Sequence, residues 1–229
     1  LTGCAIAVAG AAGGARRLRA TVALAGTVWL YDLKAKDTPA GPWTMALARA
    51  LDVLMGAGRN GDRFGRHSLR SHPRIGQRRR RVSPGFGRRP HQAGPAAAVV
   101  GAHTLLITLV SAREVEGADT ALAGRALLGV AATVTAAATL IFADPLSADA
   151  TALALACLAL YGCAMGRAGG GALRRPDPVR LQRMVATGVL ANMPLQAALL
   201  AGRGRRASAA ALMVGWPAAR WAGRKGAVT

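Results

Sequence analysis

The sequence predicts an all-α fold, a multi-pass bundle of transmembrane helices. Hydrophobic residues make up 52% of the chain, whereas aromatic residues make up only 4% and charged residues 17%. The apolar positions are filled mainly by Ala, Val, Leu and Gly, and small residues let helix backbones approach closely in lipid. Composition alone leaves an Ala-rich soluble bundle open as the alternative, so the apolar segments have to decide between the two.

Apolar segments follow one another along most of the chain. A membrane-spanning helix needs about 20 mainly apolar residues, and several segments reach this length with their neutral flanks. A soluble bundle would show polar faces at helical spacing, and these segments show none. We therefore predict helices over residues 1–14, 21–33, 96–110, 126–142, 151–165 and 184–201, with a weaker last one over 207–219.

The chain begins inside an apolar stretch, at Leu1 and without a Met. Residues 1–14 lack the basic start of a secretory signal and run directly into Arg16, Arg17 and Arg19. We expect this stretch to be a helix cut partway, in a polypeptide that is one part of a longer protein.

One segment differs from the rest in charge. Residues 59–92 contain eleven Arg and one acid, Asp62, which gives +10 in 34 residues out of +20 for the whole chain. Three interpretations are open: a surface for nucleic acid or anionic lipid, a disordered basic loop, or residues outside the true reading frame of a GC-rich gene. The chain therefore divides into transmembrane helices with a polar motif (1–58), an Arg-rich segment (59–94), and further transmembrane helices with a C-terminal tail (95–229).

Basic residues predict the orientation of the helices, because basic loops stay on the cytoplasmic side. The loop 167–183 carries five Arg and one Asp, whereas the loop 144–149 is acidic. Residues 111–125 then lie on the cytoplasmic side and the Arg-rich segment on the outer side. This position contradicts the positive-inside rule and favours the reading-frame interpretation of the Arg-rich segment. The basic residues of 16–19 and 203–206 also fall on the outer side, so the assignment is not unanimous. We expect a protein of the cell membrane whose polar motifs face the cytoplasm.

Three polar clusters lie on the predicted cytoplasmic side, in residues 31–38, 41–56 and 111–119. In the second, Arg49 and Asp52 share one helix face and can pair; a solvated helix at the membrane interface is the plainer alternative. Basic side chains can hold an anion, and carboxylates can hold a hard cation through oxygen ligands. The candidates are Lys36, Arg49 and Arg113 for the anion, and Glu114, Glu116 and Asp119 for the cation.

Polar side chains inside the apolar segments have a simpler interpretation. His103, Asn192 and Gln196 are the polar residues concerned. Each is better explained as a hydrogen-bond partner between helices than as a ligand-binding group.

Residues 31–56 resemble part of the UbiA family of membrane prenyltransferases. The pattern is that of a bacterial branch, Tyr-Asp-x-x-x-Lys-x-Thr-Pro-x-Gly-Pro, then Met, then Arg-x-Leu-(Asn/Asp)-Val-Leu-x-Gly. The matching residues are Tyr31, Asp32, Lys36, Thr38, Pro39, Gly41, Pro42, Met45, Arg49, Leu51, Asp52, Val53, Leu54 and Gly56. Residues 103–114 are similar to the second polar stretch of that branch, and 177–182 with 195–196 to its later helices. The resemblance skips 59–94.

This resemblance implies a bundle of about nine helices around a central cavity, of which about seven are present here. It implies transfer of a prenyl group from an isoprenyl diphosphate to an acceptor, commonly aromatic, with Mg²⁺ held by two acidic motifs. The implied partners are prenyl diphosphate and membrane lipid, with no nucleic acid and no protein partner. The implied roles are catalytic for Tyr31, Lys36 and Arg49, substrate-binding for Asp52 and Arg113, and metal-binding for Glu114, Glu116 and Asp119.

The chain also departs from the family pattern. The first acidic motif has no counterpart, since the first acid is Asp32, and the second motif has Glu where several Asp are usual. We therefore expect this polypeptide to be inactive as it stands and leave the activity of the full-length protein open. The alternatives are a non-catalytic isoprenoid-binding membrane protein of the same fold, or a small-solute transporter, although no internal repeat of the transporter kind is found.

Overall fold

A computed structural model of the chain describes residues 18–58, 93–115 and 119–226. Every regular element within these residues is helical. Residues 18–30 form helix α1, which continues into a π-helical turn at Tyr31–Ala35. The predicted segment 1–14 and nearly all of the Arg-rich segment lie outside the described residues.

Six further α-helices follow, and the all-α prediction is confirmed for the described residues. Each predicted apolar segment from 96 onward lies inside one of these helices, and the helices extend past the apolar residues at one or both ends. The bounds are α2 Gly41–Gly58, α3 Ala93–Ser111, α4 Thr120–Phe142, α5 Ala148–Arg174, α6 Pro178–Ala201 and α7 Arg206–Gly226.

Side-chain caps fix where three of these helices begin. Asp119 Oδ1 accepts a hydrogen bond from the backbone N–H of Leu122 at 2.8 Å, at the start of α4. Ser147 plays the same part for α5 and Asp177 for α6. Such caps satisfy backbone donors that have no partner within the helix, so the helix starts follow from polar residues placed directly before apolar runs.

Four of the described helices, α3 to α6, are long and apolar enough to cross a membrane, judged by length and composition. Their outer surfaces remain apolar: Leu128, Phe142 and Val189 are 71%, 64% and 61% exposed. Large apolar surfaces of this kind are rare on monomers in water. A lipid environment accommodates them, because lipid chains are as apolar as the side chains that face them.

Helix α6 occupies the centre of the bundle, where it packs against α3, α4, α5 and α7. Glycines allow the closest approaches. A Cβ atom added at Gly188 would lie 2.6 Å from Cγ1 of Ile107 on α3, and one at Gly169 would lie 2.7 Å from Cδ2 of Leu127 on α4. These large side chains fill the space that the missing Cβ atoms leave, which is how small residues bring helices together.

The short connections place the loops at two ends of the bundle. Helices α3 to α6 are sequential neighbours joined by short loops. The junction between α3 and α4 and the loop 175–177 therefore lie at one end, named the arginine-rich end for the five Arg of 167–183. The loops 143–147 and 202–205 lie at the opposite end. In the prediction from loop charges, these two ends lie on opposite sides of the membrane.

Candidate functional site

The polar motif of residues 31–38 begins in the π-helical turn. The backbone N–H of Lys36 donates to the carbonyl oxygen of Tyr31 at 2.9 Å, a bond that spans five residues. Thr38 then anchors the following loop, because its hydroxyl donates to the carbonyl oxygen of Ala35 at 2.9 Å. Because π-helical turns occur often at functional sites, residues 31–38 are a candidate for such a site.

Gly41 sets the close return of the chain into α2. A Cβ atom at this position would lie 2.8 Å from the carbonyl oxygen of Ala35 and 3.1 Å from that of Lys36. Both are backbone atoms, which move only with the chain. The glycine of the motif is therefore required by the packing of the loop, whatever else the motif does.

Charged side chains of the motif face outward. Lys34, Lys36 and Asp37 are exposed, whereas the ring of Tyr31 is half-buried. Among the described residues, no carboxylate pairs with the ammonium group of Lys36. This lysine is thus available to an external anion.

Arg49 and Asp52 form the ion pair that their spacing predicts. Nη1 of Arg49 lies 3.7 Å from Oδ2 of Asp52, and both side chains are 48% exposed. An exposed pair of this kind contributes about 0.2–1 kcal/mol at most. The pair is weak enough for either partner to exchange it for a charged ligand.

The third cluster is only partly described. Arg113 is exposed and Glu114 half-buried, while Glu116 lies outside the described residues. Asp119 is already engaged as the cap of α4, with Oδ1 bonded to the N–H of Leu122. Within residues 18–58, 93–115 and 119–226, no three side chains of the metal-binding types come together. The described residues do not by themselves fit a magnesium ion, and the metal site stays a prediction.

No hydrogen bond or ion pair of the described residues joins the motif of 31–38 to Arg113 or Glu114. The side-chain bonds of the motif stay within the loop and α2, and those of Asp119 stay within α4. The described contacts therefore do not join the three polar clusters to one another.

A buried polar cluster joins three of the four candidate spans. His103 on α3 is 1% exposed and Tyr161 on α5 is 0% exposed. Nδ1 of His103 lies 3.0 Å from the Tyr161 hydroxyl, and Nε2 lies 3.0 Å from the carbonyl oxygen of Gly188 on α6. The rings meet edge to face, with centroids 5.2 Å apart.

The partners of His103 fix the positions of its protons. A carbonyl oxygen only accepts, so Nε2 carries the proton that goes to Gly188. A charged imidazolium in this apolar interior would be costly, so the ring is neutral and Nδ1 accepts from the Tyr161 hydroxyl. Because both ring nitrogens are used, His103 acts as a hydrogen-bond partner between helices, as its place in the sequence predicts.

Tyr161 is the member of this cluster that the sequence reading missed. Its signal is present, since it is the single Tyr of a charge-free apolar segment, and a buried tyrosine hydroxyl usually has a partner. Thr133 on α4 is buried as well, and its hydroxyl donates to the carbonyl oxygen of Gly129 in its own helix at 2.8 Å.

Asn192 does not follow the same pattern. Its Oδ1 is buried and has no hydrogen-bond partner among the described residues, so the predicted tie between helices is not seen for this atom. Trp216 Nε1 on α7 is a second buried polar atom without a partner in the described part of the chain. An unsatisfied buried acceptor or donor costs about 1–3 kcal/mol.

Charged contacts at the loops secure the helix ends. At the arginine-rich end, the guanidinium of Arg180 binds Asp177 Oδ2 at 3.1 Å and the carbonyl oxygen of Gly171 at 3.2 Å. At the opposite end, Nη1 of Arg206 lies 3.1 Å from Oδ2 of Asp149. The first contact joins α5 to α6 and the second joins α5 to α7.

Comparisons with known proteins assign the chain to no family. No family model matches it, no curated protein matches it, and no solved structure matches it. The interpretation of the site rests on the motif of residues 31–56 and on the geometry around it.

Proposed function

We propose that the protein is an integral membrane prenyltransferase of the UbiA type, which transfers an isoprenyl group from a prenyl diphosphate to an acceptor. The observation that carries the proposal is the motif of residues 31–56 at the end of an apolar helix. The all-helical bundle and its four candidate spans are consistent with such an enzyme. The polar motifs are proposed to face the cytoplasm, where basic loops are retained.

Basic residues have a definite task in this chemistry. When the bond between the prenyl carbon and the diphosphate oxygen breaks, negative charge grows on the leaving group while an allylic cation forms. Fixed positive charges near the leaving oxygens stabilise this separation. The exposed ammonium of Lys36 and the guanidinium of Arg49 are the groups proposed to do so, with Tyr31 donating from its hydroxyl.

Asp52 and Arg113 are proposed to bind substrate. Asp52 now pairs with Arg49, so it holds that guanidinium in place until diphosphate arrives. Arg113 is exposed and carries no carboxylate partner among the described residues. No step is assigned to magnesium here, because the described acidic residues do not form its site.

The experiment compares two lysines of the same turn. The protein is expressed from its complete gene, and its membranes are assayed for transfer of labelled farnesyl or geranylgeranyl groups to lipid-soluble acceptors. Lys36→Ala should abolish transfer. Lys34→Ala should leave it within about twofold, because Lys34 is also exposed but occupies a position that the family pattern leaves open, and an exposed charge contributes little by itself.

The two alternative functions, isoprenoid binding without catalysis and solute transport, predict different results. Prenyl diphosphate binding that Lys36→Ala weakens, without any transfer, would favour an isoprenoid-binding protein of this fold. Absence of both binding and transfer would refute the proposal. A transporter would instead move solute across proteoliposomes; the two hydrogen bonds of His103 weigh against a solute path lined by that residue.

A further inference from the structure

A pocket on the surface of α7 has an aromatic and basic lining. It is formed by Trp216, Pro217, Arg220 and Trp221. The guanidinium carbon of Arg220 lies 4.7 Å from the centre of the Trp216 ring, which is within cation–π range. Trp221 is 61% exposed. The pocket is separate from the polar motif of residues 31–56.

The guanidinium of Arg220 is the exposed hydrogen-bond donor of this lining. A guanidinium stacked on an aromatic face still presents its N–H groups along its edge. In the described part of the chain no ion pair occupies Arg220, and Nε1 of Trp216 is buried without a partner. An oxygen-rich anion would accept hydrogen bonds from the exposed edge of the Arg220 guanidinium.

Charge favours an anion at this position. No Asp or Glu follows Asp177, whereas eight Lys and Arg residues do. Helix α7 begins at the opposite end, where Arg206 binds Asp149, and it runs back along α6, since Gly215 approaches the Met193 side chain. Its last turns, with Arg220, therefore lie toward the arginine-rich end.

The same face of α7 continues as an apolar strip. Val214, Pro217 and Trp221 are spaced three and four residues apart, so they lie on one side of the helix. Val214 is 79% exposed. The strip leads from Arg220 and Trp221 toward the middle of the helix, which is the direction that an acyl chain would take from a headgroup held at Arg220.

We propose that the pocket of Trp216, Pro217, Arg220 and Trp221 binds the phosphate of an anionic phospholipid, with an acyl chain along Pro217 and Val214. Trp residues are enriched at membrane interfaces, and basic residues there attract anionic lipid. A free phosphate has no acyl chain to lie along the apolar strip. The proposal is independent of prenyl transfer.

The test uses quenching of tryptophan emission by brominated lipid. The exposed Trp29 and Trp43 are changed to Phe, so that emission comes from Trp216 and Trp221 alone. In phosphatidylcholine vesicles, a small fraction of brominated phosphatidylglycerol should quench about fivefold more efficiently than the same fraction of brominated phosphatidylcholine, the factor expected for one basic side chain beside an anionic lipid.

Two arginines of α7 supply the variant and its control. Arg220→Gln should remove the preference for phosphatidylglycerol, whereas Arg206→Gln, the same change of charge at the other end of α7, should retain it. A preference that survives Arg220→Gln, or that both variants lose equally, would overturn the proposal. Arg220→Lys, which keeps the charge and the fold, should lower the preference, and an unchanged preference would exclude a role for the stacked guanidinium.

Inorganic phosphate distinguishes the lipid from a free anion. Millimolar phosphate should leave the quenching preference unchanged, because the lipid is held by its acyl chain as well. Loss of the preference on adding phosphate would show a site for free phosphate and overturn the assignment to lipid.

Discussion

Replacing Tyr161 by Phe removes one hydroxyl from the buried contact between α3 and α5. That hydroxyl lies 3.0 Å from Nδ1 of His103, and neither residue is more than 1% exposed. Phe retains the ring and its edge-to-face contact with the imidazole, whose centre is 5.2 Å away. The substitution therefore isolates the hydrogen bond from the packing.

The expected loss of stability is about 1–1.7 kcal/mol. A buried acceptor left without a partner costs about 1–3 kcal/mol in soluble proteins, but hydrogen bonds between membrane helices average only about 0.6 kcal/mol, with a maximum near 1.7. The upper part of the membrane range applies here, because the second bond of His103, to Gly188, prevents the ring from turning toward another donor.

Reversible unfolding in mixed detergent micelles measures this loss. A double-mutant cycle with Tyr161→Phe and His103→Leu should give a coupling of about 1 kcal/mol. Tyr31→Phe is the matched control, since Tyr31 is the only other tyrosine and its hydroxyl has no hydrogen bond among the described residues. If Tyr161→Phe costs no more than Tyr31→Phe, or the coupling is below about 0.3 kcal/mol, the buried bond does not contribute as argued.

Three further substitutions test the close approaches and caps. Gly188→Ala should destabilise the protein by about 1–3 kcal/mol in the same unfolding assay, because the added methyl overlaps Ile107, and Ile107→Val should recover part of that loss. Asp177→Ala should lower stability by about 1 kcal/mol through loss of the α6 cap. Gly41→Ala should accelerate amide hydrogen exchange in the Tyr31–Ala35 turn, since its methyl would meet the carbonyl oxygen of Ala35.

Each of these has its own control. Gly166→Ala on α5 has open space around the added methyl and should be neutral or slightly stabilising, so an equal loss there would contradict the packing explanation for Gly188. Asp177→Asn should keep most of the stability, because Asn caps helices as well as Asp does and loses only the exposed ion pair with Arg180. Gly56→Ala, also with free space, should leave exchange in the Tyr31–Ala35 turn unchanged.

The helices were predictable because a long apolar segment without polar faces can satisfy its backbone hydrogen bonds in lipid only as a helix or in a closed barrel. The ends of the helices were less predictable. The apolar segment of α5 ends at Met165, yet the helix continues to Arg174. Residues 166–174 include four glycines, so packing maintains the helix there: Ala172 is fully buried and Gly169 packs against Leu127.

Asp119 shows why the site was harder to predict than the fold. Its place among other acids suggested a metal ligand, and the structure uses it to cap α4. An Asp directly before an apolar run is also a helix-start signal, and that local signal accounts for its observed bond. The bond of His103 to Tyr161 spans 58 residues, and spacing along the chain carries no information about such a contact.

The π-helical turn at Tyr31–Ala35 has a consequence for insertions and deletions. Such a turn holds one residue more than the α-helical turn it replaces, and each residue advances an α-helix by about 100°. Deletion of one residue there would let α1 continue as a regular helix and leave α2 intact. Because the remaining four residues would complete about one α-helical turn, as the five residues of the π-helical turn do now, Lys36 would keep roughly its present direction. The turn is thus a place where the chain could lose one codon and keep the direction of its polar face, whereas a codon lost within the regular part of α1 would rotate that face by about 100°.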